Sequence, residues 1–511
     1  MNIKLFLVYV ILFFIGTISR ANNINSTKLT KELIVTKFGV KGDGITDNTF
    51  LIDKLIIKAK SQRANLYFPN GTYIYSKNGM NAQGIRFIGQ SKETTILKET
   101  SLKRVHNMDG AENITFLNFD ISDDGTSKSR FFNNCKFEIT LSVKDDYVLV
   151  DNGKSSSDID VVFTNCDFQF PRIWVGLYIR QYNSVLVQNC TFNGDAWHNI
   201  RLDQPKNVNA DVKILSNTIT GGTTGIFIAP SRNKTMRGGL IQGNKLYHQK
   251  EESIAMDGFG NDPNMIPVIA NGPISRISND KEGNLVICMD KMYYHQGVAA
   301  PISLRNDWTS FYFSFGEGSG LEGNYAKIKS FNVKENTLTI EKKFPADSVL
   351  VNGDGGIQSG FFDWIIRNNY VNGTLGMNKT YGTAISVYLN VFGIIIENNT
   401  VENCAHGINI AGGIMLHYYR SLAYNNIVRN NTFIDCDKYA EGEPSEETGV
   451  VRFTSYGGTH GPIQYNNVFE NNTVNSGRFF IERQRNMMYE SNKLSDKVIL
   501  NIEDSHFKSY K

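Results

Sequence analysis

The sequence predicts an all-β solenoid, a parallel β-helix with a helical N-terminal cap and an inserted small β-domain. The main observation is a ten-fold repeat in which Cys or Asn precedes a polar and then an apolar residue. Successive copies lie mostly 20 to 32 residues apart, with one interval of 41 and one of 125. Such a period is typical of stacked repeats that bury their apolar side against their neighbours. The copies are Cys135, Cys166, Cys190, Asn217, Asn244, Asn369, Asn399, Asn431, Asn472 and Asn492.

The repeated Asn explains how successive coils stack. Parallel strands lie about 4.8 Å apart, so an Asn side chain at one corner can hydrogen-bond to backbone groups above and below it. Cys135, Cys166 and Cys190 occupy the same position, while Cys404 and Cys436 follow later copies by a few residues. We expect these cysteines to be small buried residues of the stack. A disulfide between adjacent coils is the alternative, and no Cys-x-x-Cys pair supports a metal site.

The chain begins with the features of a secretory signal over residues 1–21. Lys4 precedes the apolar stretch 5–18, and Ser-Arg-Ala follows before the sequence becomes polar. This stretch is short for a membrane span, so we expect a secreted or periplasmic protein without a membrane span. Without Lys4 and Arg20, the formal charge of +3 falls to +1, with 51 basic and 50 acidic residues. That balance gives nucleic-acid binding no support.

Residues 34–75 predict a cap that shields the open end of the solenoid. Gly39, Gly42 and Gly44 suit tight turns. The amphipathic run FLIDKLIIKAKSQ predicts a helix, with Asp47 as its N-cap. Residues 65–75 alternate like a strand and contain a Pro-Asn-Gly turn. We expect these residues to protect the first coil rather than to contact a substrate.

The interval of 125 residues between Asn244 and Asn369 predicts one coil plus an insertion. Runs such as NLVICMD and SFYFSFG are typical of strands, and Gly- and Asn-rich turns are expected to join them. The sequence GEGSGLEG lacks the strand-to-helix context of a phosphate-binding loop. We therefore predict a signal peptide at 1–21, cap and coils at 22–263, an inserted β-domain at 264–358, and further coils at 359–511.

Aligning one strand from each coil predicts which side chains face outward. Apolar residues at alternate positions, for example Ile200, Leu202, Ile226 and Ile228, are expected to point inward. The first outward column then contains Tyr178, Arg201, Phe227, Ala255, Ser386 and Asn409. The second outward column contains Arg180, Asp203, Ala229, Asp257, Tyr388 and Ala411.

The second column carries the candidate catalytic carboxylates. Asp203 and Asp257 lie two coils apart with Ala229 between them, so their backbones are expected about 9.6 Å apart. Inverting glycosidases hold two carboxyl groups roughly 6.5–9.5 Å apart, which admits a water molecule. Small side chains at Ala229 and Ala255 are expected to leave room for a sugar. Inverting hydrolysis is therefore one hypothesis for the chemistry.

The same cluster also suits β-elimination from a uronate. Arg180 and Arg201 can neutralise the sugar carboxylate, and His198 or Tyr388 can act as base or acid once its pKa is shifted. A Ca²⁺ site among Asp203, Asp257 and Asp262 has no supporting ligand spacing. The catalytic prediction requires no cofactor.

Substrate binding is predicted for three residues of the first outward column. Tyr178 and Phe227 are expected to stack on sugar rings, and Asn409 is expected to contact the substrate further along the groove. Most of the remaining aromatic side chains are expected in the core.

The turn Gly42-Asp43-Gly44, the helix and the strand YFPNGTY closely resemble the N-terminal cap of the pectate-lyase superfamily. This resemblance implies a right-handed parallel β-helix that acts on polysaccharide. The Asn-Thr-Asp, Gly-His-Gly and Arg-Ile-Lys motifs of polygalacturonases do not occur. The Asp-Pro-His-Glu motif of mannuronan epimerases and the Trp-x-Asp-His motif of pectate lyases are also absent. The substrates of those subfamilies therefore do not carry over.

We accordingly expect a secreted carbohydrate-active enzyme that cleaves a carbon–oxygen bond in an acidic poly- or oligosaccharide. β-Elimination, of the lyase or dehydratase type, is the leading interpretation. An inverting glycoside hydrolase using Asp203 and Asp257 is the alternative, and a non-catalytic carbohydrate-binding solenoid is the second alternative. The sequence leaves the sugar, the linkage and the oligomeric state open.

Overall fold

The structure is a computed structural model that describes residues 31–101, 105–122, 129–140, 147–150, 160–180, 182–203, 208–209, 211–230, 235–258, 268–293, 307–341, 344–376, 382–415, 419–436, 449–456 and 462–508. The predicted signal peptide and Asp262 lie outside these residues. The described coils form the predicted right-handed parallel β-helix. In the part of the chain that the structure describes, no helix is long and apolar enough to cross a membrane.

Each full coil runs through three strands, which we call faces 1, 2 and 3. Face 1 belongs to a sheet of 16 described strands, whereas faces 2 and 3 belong to a sheet of 26. The strands Asp167–Arg180 and Thr191–Asp203 run through both faces 2 and 3, which joins the two faces into one sheet. The candidate site lies on face 3.

The strands of face 1 pair in parallel from coil to coil. They are Glu32–Ile34, Asn65–Phe68, Phe87–Gly89, Gly110–Glu112, Ser129–Asn133, Asp160–Thr164, Ser184–Gln188, Asp211–Leu215, Thr235–Gln242, Gly360–Arg367, Val391–Phe392, Ile395–Glu397, Ala423–Tyr424, Ile427–Arg429, Val468–Glu470 and Met488–Glu490. A separate parallel pair is formed by Gln464–Tyr465 and Gln484–Arg485.

Face 2 consists of short strands, apart from the two that continue into face 3. They are Asp43–Asp47, Gly71–Tyr75, Thr95–Glu99, Thr115–Leu117, Lys136–Glu138, Thr218–Thr220, Lys245–Tyr247, Tyr370–Asn372, Thr400–Glu402, Thr432–Ile434, Thr473–Val474 and Lys493–Leu494. Face 3 contains Asn81–Ala82, Val105–Met108, Asp120–Ser122, Tyr147–Val150, Thr224–Ala229, Glu252–Asp257, Thr383–Tyr388, His406–Met415, Val451–Tyr456, Gly477–Glu482 and Val498–Glu503, with Tyr419–Ser421 paired antiparallel to His406–Met415.

The predicted Asn ladder runs along the corner between faces 1 and 2. The backbone N–H of Asn217 donates to Oδ1 of Asn244 at 3.0 Å, and that of Asn369 donates to Oδ1 of Asn399 at 2.9 Å. The residue before each copy often has left-handed backbone, as at Asn398 with φ 55°, which turns the chain sharply. The ladder therefore satisfies buried backbone groups in successive coils.

The cysteines behave as members of this stack. Cys190 donates its Sγ–H to the carbonyl of Gln188, and its backbone N–H donates to Oδ1 of Asn217 at 2.9 Å. All six cysteines are buried and free. The prediction of small buried residues is confirmed, and the alternative of a disulfide is wrong.

The cap consists of one helix, Thr49–Gln62, over the first coil. Its buried side chains are Ile52, Leu55, Ile56 and Ala59, which cover the apolar interior. The N-cap residue is Asn48 rather than Asp47. Asp47 instead ends the preceding strand, and its Oδ1 accepts the backbone N–H of Thr49 at 2.9 Å. Among the described residues, 3-10 turns occur at Val35–Phe38, Trp308–Ser310 and Ala346–Ser348.

Residues 268–358 leave the solenoid and form an antiparallel sheet with its own core. Its strands are Val268–Pro273, Arg276–Asn279, Leu285–Cys288, Tyr312–Phe315, Tyr325–Asn332, Thr337–Ile340 and Asp354–Gln358. The coils on either side are direct neighbours, because the N–H of Asn244 donates to Oδ1 of Asn369 at 2.9 Å. Tyr312 stacks on Phe362 of face 1 with 3.9 Å between ring centroids, which seats the sheet against the solenoid.

Candidate active site

The pairing of the face 3 strands confirms the predicted register. Tyr178 pairs with Arg201, and Arg180 pairs with Asp203. Asp203 then pairs with Ala229, and Asp257 pairs with Tyr388. Ile200, Leu202, Ile226 and Ile228 lie in the central core. The two outward columns therefore exist as the sequence predicts them, and they bring three of the predicted residues into direct contact.

Those three residues are Tyr178, Arg201 and Asp203, which form a buried polar cluster. Oδ2 of Asp203 accepts the hydroxyl of Tyr178 at 2.7 Å and the Nε–H and Nη2–H of Arg201 at 2.9 and 2.8 Å. The Arg201 and Asp203 side chains are only 6% and 8% exposed. Burial raises the pKa of Tyr178, and the charge of Asp203 acts in the same direction. The cluster is thus a charge pair held in a fixed geometry.

Aromatic rings surround the Arg201 guanidinium on several sides. Its Cζ lies 5.0 Å from the ring centre of Tyr178, 5.2 Å from that of Phe227 and 5.8 Å from that of Trp174. These distances fall within the range of cation–π attraction. The sequence analysis expected Arg201 to neutralise a substrate carboxylate, whereas the structure directs two of its donors to Asp203.

His198 lies beside this cluster as a neutral imidazole. Its ring is buried and lies 4.5 Å from that of Phe227. Burial lowers the pKa of His198 well below its usual range, and the charge of Arg201 acts in the same direction. At neutral pH the side chain therefore has one N–H donor and one acceptor nitrogen.

The space predicted between Asp203 and Asp257 is not open at its base. Ala229 and Ala255 form a small buried cluster with Phe227. Asp257 is itself 9% exposed. The two alanines are covered, so the expected room for a sugar over Ala229 and Ala255 is not open.

Glu252 is a functional candidate that the sequence analysis missed. It begins the same strand that ends at Asp257, and it pairs with Thr224 and Thr383. Burial raises the pKa of Glu252 to about 8, and the charge of Asp257 acts in the same direction. Glu252 is therefore protonated at neutral pH, which is the state that a general acid needs.

Two exposed tryptophans flank the cluster at the bend between faces 2 and 3. Ile173 pairs with Ala196 and Val175 with His198, which makes Trp174 and Trp197 lateral neighbours. Trp174 is 38% exposed and Trp197 is 48% exposed. Neither tryptophan was predicted from the sequence, because the aligned segments 176–181 and 199–204 begin two residues after Trp174 and Trp197.

The other predicted residues lie further out. Arg180 is partly exposed and its guanidinium lies 5.5 Å from the Tyr178 ring. Tyr388 is partly exposed beside Asp257. Asn409 pairs with Ser386 and Arg452, four coils from Arg201, so it does not join the cluster around Asp203.

Metal binding gains no support from the described side chains. Among these residues, no group of three or more His, Cys, Asp or Glu is arranged to hold a metal ion. The proposed Ca²⁺ ligand Asp262 lies outside the residues that the structure describes.

The family comparison bears on both the cap and this cluster. A family described as rhamnogalacturonase A/epimerase, pectate lyase-like, matches residues 34–246. Over these residues, which are less than half of the chain, the sequence is similar to that family. The matched part of the chain contains Tyr178, His198, Arg201 and Asp203, whereas Glu252 and Asp257 follow it. No curated protein matches the sequence.

Several solved structures are similar to this chain in fold. The catalytic domain of Agl-KA is 10% identical with a TM-score of 0.40, over 94% of this chain and 69% of that one. The N-terminal fragment of bacteriophage Phi29 gene product 12 is 12% identical with a TM-score of 0.39, over 97% and 74%. A family 28 exopolygalacturonase of Yersinia enterocolitica is 10% identical with a TM-score of 0.33, over 94% and 78%. Similarities this low carry no information on activity.

Proposed function

We propose that this protein is a carbohydrate-active enzyme that cleaves a glycosidic carbon–oxygen bond on face 3, with Glu252 as general acid. The carrying observation is the raised pKa of Glu252, about 8, on the strand that also carries Asp257. A protonated carboxyl can protonate the leaving oxygen, and an ionised carboxylate can activate water. The description of the matching family, with its rhamnogalacturonase and pectate-lyase terms, supports polysaccharide as the substrate class.

Hydrolysis fits this arrangement better than elimination. Elimination from a uronate needs a cation that is available to the sugar carboxylate, but Arg201 directs Nε and Nη2 to Asp203. Hydrolysis needs only an acid and a base, and Glu252 and Asp257 supply both. In this proposal Asp203 orients Arg201 and binds substrate, and Asp257 takes the role of base.

Elimination is the second candidate because of Arg180. Its Nε is buried and has no hydrogen-bond partner among the described residues. The Arg180 guanidinium, whose Cζ lies 5.5 Å from the centre of the Tyr178 ring, could pair with a carboxylate of an acidic sugar. Neutral His198 would then be the candidate base.

We also propose export to the cell exterior or the periplasm, because residues 1–21 carry the features of a secretory signal. Polysaccharide too large to cross a membrane would be accessible there. N-terminal sequencing of the protein from a native host checks this, with an N-terminus near residue 22 as the expected result.

To test the activity, the protein is incubated with a panel of soluble neutral and acidic polysaccharides, and the molecular masses of the products are measured by mass spectrometry. Hydrolysis adds one water for each bond cleaved, whereas elimination adds none and creates an absorbing double bond. Glu252→Gln is expected to lower turnover about 100-fold or more. The matched control Glu138→Gln, in a partly exposed ion pair on face 2, should retain it. Full activity of Glu252→Gln would overturn the assignment of the acid.

A further inference from the structure

We infer that Trp174, Trp197, His198, Arg201 and Asp203 form a sugar-binding subsite for a saccharide with adjacent free hydroxyl groups. The inference rests on the proposed function and names how its substrate is held. The residues come from two neighbouring coils, on the strands Asp167–Arg180 and Thr191–Asp203. Both strands cross the bend from face 2 to face 3, so the rings and the polar groups share one surface.

Buried polar atoms without partners indicate a polar ligand. Both ring nitrogens of His198, Nη1 of Arg201 and Oδ1 of Asp203 are buried and have no hydrogen-bond partner among the described residues. A buried polar group without a partner costs free energy comparable to a lost hydrogen bond. These atoms offer both a donor and an acceptor. Arg201 Nη1 can only donate a hydrogen bond, and Asp203 Oδ1 can only accept one. Adjacent sugar hydroxyls, each of which donates and accepts, satisfy such a set.

The two tryptophans supply the apolar half of the subsite. Trp174 and Trp197 are lateral neighbours on adjacent coils, so their backbones lie about 4.8 Å apart. Exposed indoles offer flat apolar area with little loss of side-chain freedom. The apolar face of a pyranose ring can lie on them while its hydroxyls reach Arg201 and Asp203. A chain bound this way and extended along the solenoid axis leads towards Glu252, which lies two coils from His198 in the same column.

The inference is tested by binding rather than by turnover. The chain contains four tryptophans, of which Trp308 and Trp364 are buried, so solvent quenchers report mainly on Trp174 and Trp197. Acrylamide quenching of the Glu252→Gln protein is measured while each polysaccharide of the panel is added. At least one polysaccharide is expected to protect the two exposed indoles from quenching.

Substitution of each indole then tests its contribution in the same Glu252→Gln background. Trp174→Ala and Trp197→Ala are each expected to raise the Kd for the bound polysaccharide about tenfold, measured by isothermal titration calorimetry. Phe50→Ala is the matched control, since Phe50 is an exposed ring (67%) on the cap helix, and its Kd should equal that of the parent. Neither substitution is expected to unfold the protein, because both rings are at the surface.

The outcomes separate this inference from the proposed function. An unchanged Kd in both tryptophan variants, or no binding of any polysaccharide, overturns the subsite. Weakened binding in the variants together with no turnover by the parent protein supports the subsite and contradicts the proposed enzyme. Turnover by the parent with unchanged Kd in the variants supports the enzyme alone.

Discussion

At the scale of single residues, the ion pair of Arg201 and Asp203 is the most constrained feature of the site. Both side chains are less than a tenth exposed, and one carboxylate oxygen accepts three donors. Desolvation of two charges is costly, and a buried pair often contributes little net stability. Its value here therefore lies in holding Arg201 at a fixed place in the site. Removal of one partner is expected to destabilise the folded protein, because it leaves the other charge buried without its partner.

Asp203→Asn is expected to lower the free energy of unfolding by about 3–5 kcal/mol, because the Arg201 charge loses its partner. Chemical denaturation followed by circular dichroism measures this. The double variant Arg201→Met with Asp203→Asn should recover much of that stability without recovering activity. The surface pair of Lys213 and Asp211 is the control, and Asp211→Asn should change stability by less than about 1 kcal/mol. Equal losses at both sites would contradict the argument.

Glu252 makes stability and activity depend on pH in the same direction. Its carboxyl has a pKa of about 8 in the folded protein against an ordinary value of 4.5, so the folded state binds this proton more tightly than the unfolded state. Its contribution to stability is fully present below pH 4.5 and is lost as the pH rises through 8. Between these values the expected slope is about 1.4 kcal/mol per pH unit.

Glu252→Gln is therefore expected to remove this slope and to make the protein more stable than the parent above pH 8. Turnover of the parent should fall above pH 8 as the acid ionises. Denaturation at several pH values and a pH–rate profile measure the two effects. A parent profile that is flat through pH 8 would show that another group supplies the proton.

The residues that sequence analysis missed share a physical reason. The aligned segment 253–258 begins one residue after Glu252, and regular alternation does not extend back to that residue because Ser253 is fully buried beside Ile254. The same kind of break at Asn199 turns His198 outward onto Phe227. Alternation predicts only regular strands, and the raised pKa of Glu252 results mainly from its burial, which alternation does not indicate.

At the scale of elements, the Asn ladder fixes the coil register, and this part of the fold is readable from sequence. Each Asn accepts from the preceding coil and donates to a carbonyl, so its position in the chain marks one corner of the stack. Asn399, for example, accepts the N–H of Asn369 at 2.9 Å and donates to the carbonyl of Ile366 at 3.0 Å. The ladder does not indicate what the outward side chains contact. The ion pair of Arg201 with Asp203 was therefore not predictable from the sequence.

Asn399→Ala is expected to lower the free energy of unfolding by about 2–5 kcal/mol, because it leaves two buried backbone groups without partners. Thermal unfolding followed by circular dichroism measures the loss. Asn193→Ala is the matched control, since Asn193 is exposed on the strand Thr191–Asp203 and its loss should be small. Similar melting temperatures for the two variants would contradict a structural role for the ladder.

At the scale of the whole molecule, the inserted sheet covers an aromatic stripe of face 1. Phe362, Phe392, Tyr424 and Tyr465 lie in one buried cluster with Tyr312 of the insertion. The solenoid coils on either side are already joined by the ladder and by strand pairing. The insertion therefore protects an apolar surface without being needed for the register of the coils.

Replacement of residues 260–357 by a short Gly-Ser linker is expected to preserve the β-helix but to expose that stripe. Far-ultraviolet circular dichroism should still show β structure, while size-exclusion chromatography should show self-association through the exposed aromatic rings. Changing Phe362 and Tyr424 to Ser in the shortened chain should reduce the association. An unfolded shortened chain would mean that the insertion is required for stacking.

The ladder also allows long segments to be inserted between two successive coils of the solenoid. Closing a loop of 125 residues between two Asn positions, rather than 27 as between Asn217 and Asn244, adds only roughly 1.4 kcal/mol of chain entropy. Two hydrogen bonds of the ladder can offset a cost of that size. A gene encoding this chain can therefore acquire a whole domain between two coils in one event without loss of the coil register.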